Sequence, residues 1–142
     1  MTKNSQKFSE IKKFDLPLGQ YVITGSGPLG IRNLREINDI DIFVDLKLWT
    51  ILSEKYDTTD KDNIKRIEFP GGLIEAMYEG SFYTIKGDMN DPTIADRIAK
   101  ADIIDGLPFE SLLHVLHFKK KMNREKDKND ILMIEKWLKE NQ

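Results

Sequence analysis

Asp39 and Asp41 lie in the run Asn38-Asp39-Ile40-Asp41-Ile42-Phe43-Val44, where polar and apolar residues alternate. In a strand, residues two apart point to one face, with Cα atoms about 6.6 Å apart. Two carboxylates so placed repel each other and lower the strand propensity of an otherwise apolar segment. Positive charge offsets that cost, and a hard divalent cation shared between carboxylates and a ligand's phosphates would supply it. The competing reading is an edge strand that faces water. Asp45 has the same parity, but its place before Leu46 fits the N-cap of a helix, which is the role expected of it.

Upstream, Tyr21-Val22-Ile23-Thr24 runs into Gly25-Ser26-Gly27-Pro28. The β-branched and aromatic residues predict a strand, the glycines end it, and Pro28 suits the first turn of a helix. A strand that turns into a helix gathers free backbone N–H groups and a helix N-terminus around one point, which favours phosphate. Glycine at the turn permits positive φ and close approach of a ligand. The same three residues also describe a plain loop.

Charge adds a second feature. Over the whole chain 22 Lys and Arg oppose 24 Asp and Glu, yet residues 119–128 hold six basic and two acidic side chains, a local balance of +4. Such a cluster on an otherwise acidic chain fits one anionic ligand, or a solvated helix face with Lys and Glu paired at helical spacing. Lys120 and Arg124 are four apart on the expected helix and so share a face, with Lys119 beside them; which Lys turns inward stays open. His114 and His117 also share a helical side, but no further His cluster supports a zinc site, and packing is expected of them.

The elements that must position these groups follow from pattern. A short helix is expected over residues 6–15, a strand over Tyr21–Thr24, a helix from Pro28 to about Glu36, a strand over Asp39–Val44 and a helix from Leu46 to about Tyr56. Ile64–Phe69 and Leu73–Tyr78 flank Pro70-Gly71-Gly72 as a hairpin, and Phe82–Ile85 reads as a further short strand. Pro92–Ala99 reads as a helix, Ala101–Asp105 as an extended segment, and Phe109–Met122 and Lys126–Lys139 as two closing helices. The result is one mixed α/β (α+β) domain over residues 1–142, with about four to five strands and a carboxy-terminal helical pair over 109–140.

Composition agrees with a globular chain. At 142 residues and 39% hydrophobic, it is long enough for a core without disulfides. The absence of Cys excludes thiolate metal sites and Cys nucleophiles and suits a reducing cytosol. No run approaches the ~20 apolar residues of a membrane span, and Met1–Glu10 lacks the apolar stretch of a signal peptide, so a cytoplasmic location without membrane association is expected.

The strand ending in Gly25-Ser26-Gly27, the short helix and the Asp39-Ile40-Asp41 strand together resemble the nucleotidyltransferase superfamily of DNA polymerase β type. Leu29-Gly30-Ile31-Arg32 and the run Phe118 to Ile131 are similar to small bacterial members near the AbiEii-type toxins. The resemblance implies a nucleotidyltransferase-like sheet and Mg²⁺, one or two ions, with Mn²⁺ as a substitute, held by Asp39, Asp41 and a third carboxylate. Glu75, an acid flanked by apolar strand residues, fits that third position best, and Glu68 is the alternative. Gly25 and Ser26 would cradle the phosphates of a nucleoside triphosphate, and Arg32, Lys119, Lys120 and Arg124 are candidates to grip it. Asp39, Asp41 and Glu75 would then serve transfer of a nucleoside monophosphate to a hydroxyl on tRNA, protein or a small molecule, with release of pyrophosphate. A module of the same fold that binds nucleotide or a partner protein without turnover is the other reading. A short chain also suggests a partner protein or a second copy that completes the site.

Overall fold

The computed structural model describes residues 2–61, 64–78 and 91–141. Helix α1 (Lys3–Lys12) starts where the Thr2 hydroxyl accepts the Ser5 N–H. Strand β1 (Tyr21–Thr24) is buried along its whole length and ends at Gly25, whose φ of +65° turns the chain into the short helix α2 (Gly27–Ile31). That helix stops well before Glu36, because Asn33 adopts a left-handed φ of 59° and breaks the helical path. Strand β2 (Ile40–Val44) follows, and the Asp45 carboxylate accepts the Leu48 N–H at 2.9 Å to cap α3 (Leu46–Lys55).

Strands β3 (Thr58–Lys61), β4 (Ile64–Glu68) and β5 (Ile74–Met77) come next, the last two joined through Pro70-Gly71-Gly72 with both glycines at positive φ. Helix α4 (Ile94–Ala99) carries a capping box between Thr93 and Asp96. A tight hairpin, β6 (Asp102–Ile104) and β7 (Leu107–Phe109), leads into α5 (Leu112–Met122) and α6 (Lys128–Glu140). The strand expected over Phe82–Ile85 lies outside the described residues.

The sheet is mixed, in the order β3-β4-β5-β2-β1-β7-β6, so the described residues alone supply seven strands where about four to five were expected. Three account for the difference. Thr58-Thr59-Asp60-Lys61 has no apolar alternation to announce β3, and it forms by pairing with β4 at an edge where both faces stay polar. The β6–β7 hairpin turns at Asp105-Gly106, both at positive φ, and its second strand holds Pro108, a residue that argues against a strand except near an edge. The helix expected from Phe109 therefore starts at Leu112.

Strand β1 lies antiparallel to β2 and parallel to β7, and β2 lies parallel to β5. Alternation along these strands makes two faces. On one, Ile23, Ile40, Ile42, Ile67, Ile74 and Phe109 pack under α1 and α3 through Phe8, Ile11, Leu48 and Leu52. On the other, Val22, Phe43, Ile64 and Met77 form a smaller patch covered by Ile94 of α4. That second apolar patch gives way, two residues along the same strands, to a row of polar and charged side chains. No described helix is long and apolar enough to cross a membrane.

Candidate active site

Cross-strand register assembles the polar row. Thr24 pairs with Asp41, Asp41 with Glu75 and Glu75 with Glu68, so four side chains from four adjacent strands stand at one level. Directly opposed residues share a face, which puts Asp41 between Thr24 and Glu75. Asp39 lies one step outside β2 and is exposed, on the same parity as Asp41.

Asp41 is the least compensated member of the row. Among the described residues, no hydrogen bond or ion pair reaches its carboxylate. Burial, reinforced by the negative charges of Asp39 and Glu75, pushes its pKa up to about 7; Arg66 and Lys126 pull weakly the other way. Gly25 lies directly against it: a Cβ at that position would stand 3.3 Å from Asp41 Oδ2, in a backbone conformation that L-residues rarely adopt. Gly25 and Asp41 are thus neighbours in space. Ser26 stands at the N-cap of α2 without a side-chain capping bond, and its carbonyl accepts the Leu29 and Gly30 N–H groups.

Glu75 and Glu68 meet different surroundings. Glu75 Oε1 accepts from Arg66 Nη1 at 2.5 Å, both side chains being half-buried. Glu68 is exposed and approaches Gly72 at the hairpin turn, away from the aspartates. Of the two candidates, Glu75 is the one beside Asp41.

A cleft of about 50 Å³ opens over Asp41 and Gly25, walled by Thr24, Met77, Arg97, Phe118, Lys119 and Arg124. Such a volume takes an ion or one to two waters. Lys119 and Arg124 reach it from the end of α5 and the loop beyond. They are fixed there by Asp127, which is 1% exposed and accepts from Arg124 Nε at 2.7 Å and from Lys119 Nζ at 3.4 Å. Burial alone would raise the Asp127 carboxyl, yet the hydrogen bonds and charges of Arg124 and Lys119 hold it below the usual range. Asp130 binds Lys119 at 3.0 Å and Arg35 at 2.8 Å, so the basic cluster is braced by two buried acids.

Lys120 and Arg32 stand elsewhere. Lys120 is 53% exposed and meets Glu135 of α6 at 3.6 Å. Arg32 donates to the Pro28 carbonyl at 2.8 Å, pairs with Asp102 at 3.1 Å and stacks over Trp137, so it ties α2 to β6 and α6. Between the two lysines, Lys119 is the one that turns inward.

Two cleft residues had no announcing pattern. Arg97 and Glu110, each 1% exposed, form a two-pronged ion pair in which Arg97 Nη2 meets Glu110 Oε1 at 3.0 Å. Thr24 Oγ1 donates to the same oxygen at 2.7 Å, and the guanidinium lies 4.2 Å from the ring centres of both Phe43 and Phe118. Arg97 Nη1 has no hydrogen-bond partner among the described residues. A lone Arg in a short helix and a lone Glu after a strand carry no sequence signal for this pairing, since β6 and β7 must fold before the two meet.

The donor set bears on the implied metal. Among the described residues no three His, Cys, Asp or Glu side chains converge as a ready-made metal cage. Mg²⁺ takes one or two carboxylates and completes its octahedron with water and substrate phosphates. An unpartnered Asp41 with Asp39 on the same parity fits that demand, and Glu75 is engaged by Arg66. Compared with known proteins, the chain matches no family model, no curated protein and no solved structure.

Proposed function

We propose that the chain is a metal-dependent nucleotidyltransferase, similar to the polymerase β type, that moves a nucleoside monophosphate from a nucleoside triphosphate to a hydroxyl acceptor. The observation that supports this most is Asp41: a half-buried carboxylate without a partner among the described residues, pressed against a glycine turn and faced by Lys119 and Arg124. Ionising it in a metal-free protein is costly, and a divalent ion with its phosphates reverses that cost.

In this reading Asp39 and Asp41 would hold Mg²⁺, whose charge would offset that of the triphosphate and favour attack at the α-phosphorus. Gly25 leaves room for a phosphate at the turn, where free backbone N–H groups and the Ser26 hydroxyl donate to its oxygens. Lys119 and Arg124, braced by Asp127 and Asp130, grip the β- and γ-phosphates from the opposite wall. Glu75 stands beside Asp41 to take the proton of the attacking hydroxyl. Positioning and charge carry the chemistry, which suits a chain without Cys.

The Arg66–Glu75 ion pair favours a second reading, a module that binds nucleotide or a partner without turnover. Incubation with each of the four α-labelled nucleoside triphosphates and Mg²⁺, together with tRNA, protein and aminoglycoside acceptors, separates the two. Label transfer with pyrophosphate release, lost in Asp41→Asn, is the expected result. Binding without release selects the module, and no binding of any nucleotide refutes transfer and nucleotide binding alike.

A further inference from the structure

The polar row carries its own cations in a telling pattern. At one end Glu75 is held by Arg66, and beyond Thr24 Glu110 is held by Arg97. Asp41 lies between these two acids, and among the described residues no arginine pairs with it. We propose that Arg66 takes the place of a second metal ion, so that the site accepts a single divalent cation, at Asp41 and Asp39. The inference rests on the metal-dependent reading above and deepens it.

Register explains why Arg66 reaches Glu75. Arg66 lies opposite Met77, and Glu68 opposite Glu75, so Arg66 and Glu75 are diagonal neighbours on one face of adjacent strands. Side chains as long as arginine close that diagonal readily. The pair is half-buried, at 26% and 29% exposure, which weakens solvent screening between its charges. Glu75 Oε1 is committed to Arg66, whose Nε lacks a partner among the described residues, so an ion at Glu75 would have to share the carboxylate with the guanidinium. A cation brought to the same carboxylate would also be repelled by Arg66.

Charge counting points the same way. Asp39, Asp41 and Glu75 with Arg66 total −2, which one divalent ion neutralises. Glu75 is then the base of the row without being a metal ligand, and Arg66 is its counter-ion.

The test counts ions. Mn²⁺ is titrated into the full chain with each α,β-methylene nucleoside triphosphate, and electron paramagnetic resonance reads the ions bound per chain and any dipolar coupling between them. The native chain should bind one Mn²⁺ without coupling. Glu75→Gln, which keeps a side-chain acceptor for Arg66, should still bind one, with affinity changed by less than about threefold; loss of a ligand would cost about tenfold or more. Arg66→Met should bind a second, coupled ion. Two coupled ions in the native chain overturn the proposal, as does a tenfold loss in Glu75→Gln. The Glu75→Gln result decides even where Arg66→Met fails to fold. No bound Mn²⁺ in the native chain removes the metal-dependent reading, and this inference with it.

Discussion

Asp41→Asn should make the metal-free protein more stable, and by an amount that depends on pH. The Asp41 carboxyl titrates near 7 in the folded chain against 3.8 for an ordinary aspartate. Full ionisation therefore costs the folded state at most roughly 4 kcal/mol, and solvent at the cleft mouth screens this to about 1–3 kcal/mol. The sign follows from linkage. Below about pH 4 the group is protonated in both folded and unfolded chains and contributes nothing. Between about pH 4 and 7 the unfolded chain releases its proton and the folded one keeps it, so native stability falls through this group, and the loss is complete above the folded value. The amide has nothing to ionise. Urea melts of both proteins should coincide near pH 4 and separate by about 1–3 kcal/mol at pH 8, the mutant being the more stable. Mg²⁺ with a nucleoside triphosphate should then stabilise the native chain and leave the mutant unmoved, because only a ligand of the folded state shifts the melt. A mutant less stable than the native chain at pH 8 without ligand, or a difference that does not change with pH, refutes the account of Asp41 as an uncompensated charge.

Arg97→Met should cost about 3–5 kcal/mol in chemical denaturation, because it strands the Glu110 carboxylate in the core, and adding Glu110→Leu should return much of it. Gly25→Ala should lower stability by about 1–2 kcal/mol through its positive φ, and weaken Mn²⁺ binding measured by calorimetry, since the new methyl crowds Asp41 Oδ2. Lys119→Ala should destabilise by about 1–3 kcal/mol and weaken triphosphate binding, whereas Lys120→Ala should change melting by no more than about 0.5 kcal/mol and leave binding intact.

Local pattern carried the elements whose reasons are local. Tyr21–Thr24, the Asp45 cap and the Pro70-Gly71-Gly72 turn are each read from neighbours a few residues away, and each forms as expected. Asp39 and Asp41 could be singled out because an acid in an apolar strand is costly wherever the strand ends up. The sheet edges were not legible. A polar segment such as Thr58–Lys61 becomes a strand only because β4 offers it a ladder, and Pro108 only because β1 and β6 flank it. Partnerships were hidden for the same reason. Nothing near Glu75 in sequence announces Arg66 as its counter-ion, because a turn and a register must first set the diagonal. Arg97 and Glu110 are 13 positions apart and still need a hairpin to meet. Within the basic run, the choice of Lys119 over Lys120 depends on where Asp127 and Asp130 are buried.

Strand β1 has a near neighbour in the chain, β2, and a remote one, β7, and that asymmetry dictates when the molecule can finish during synthesis. Thr24 leaves the ribosome 86 residues before its partner Glu110. At about 5–20 residues per second, that interval is roughly 4–17 s. The five strands from β1 to β5 can pair in that time, but one edge of β1 stays open and the row around Asp41 has no roof. Strand β7, Arg97 and Lys119 all arrive late. The nascent chain therefore passes through a stage in which the edge of a strand that is buried in the finished fold is bare, the kind of surface that recruits a chaperone or another nascent chain. Any binding at Asp41 that needs both walls of the cleft must wait until Lys119 and Arg124 have emerged.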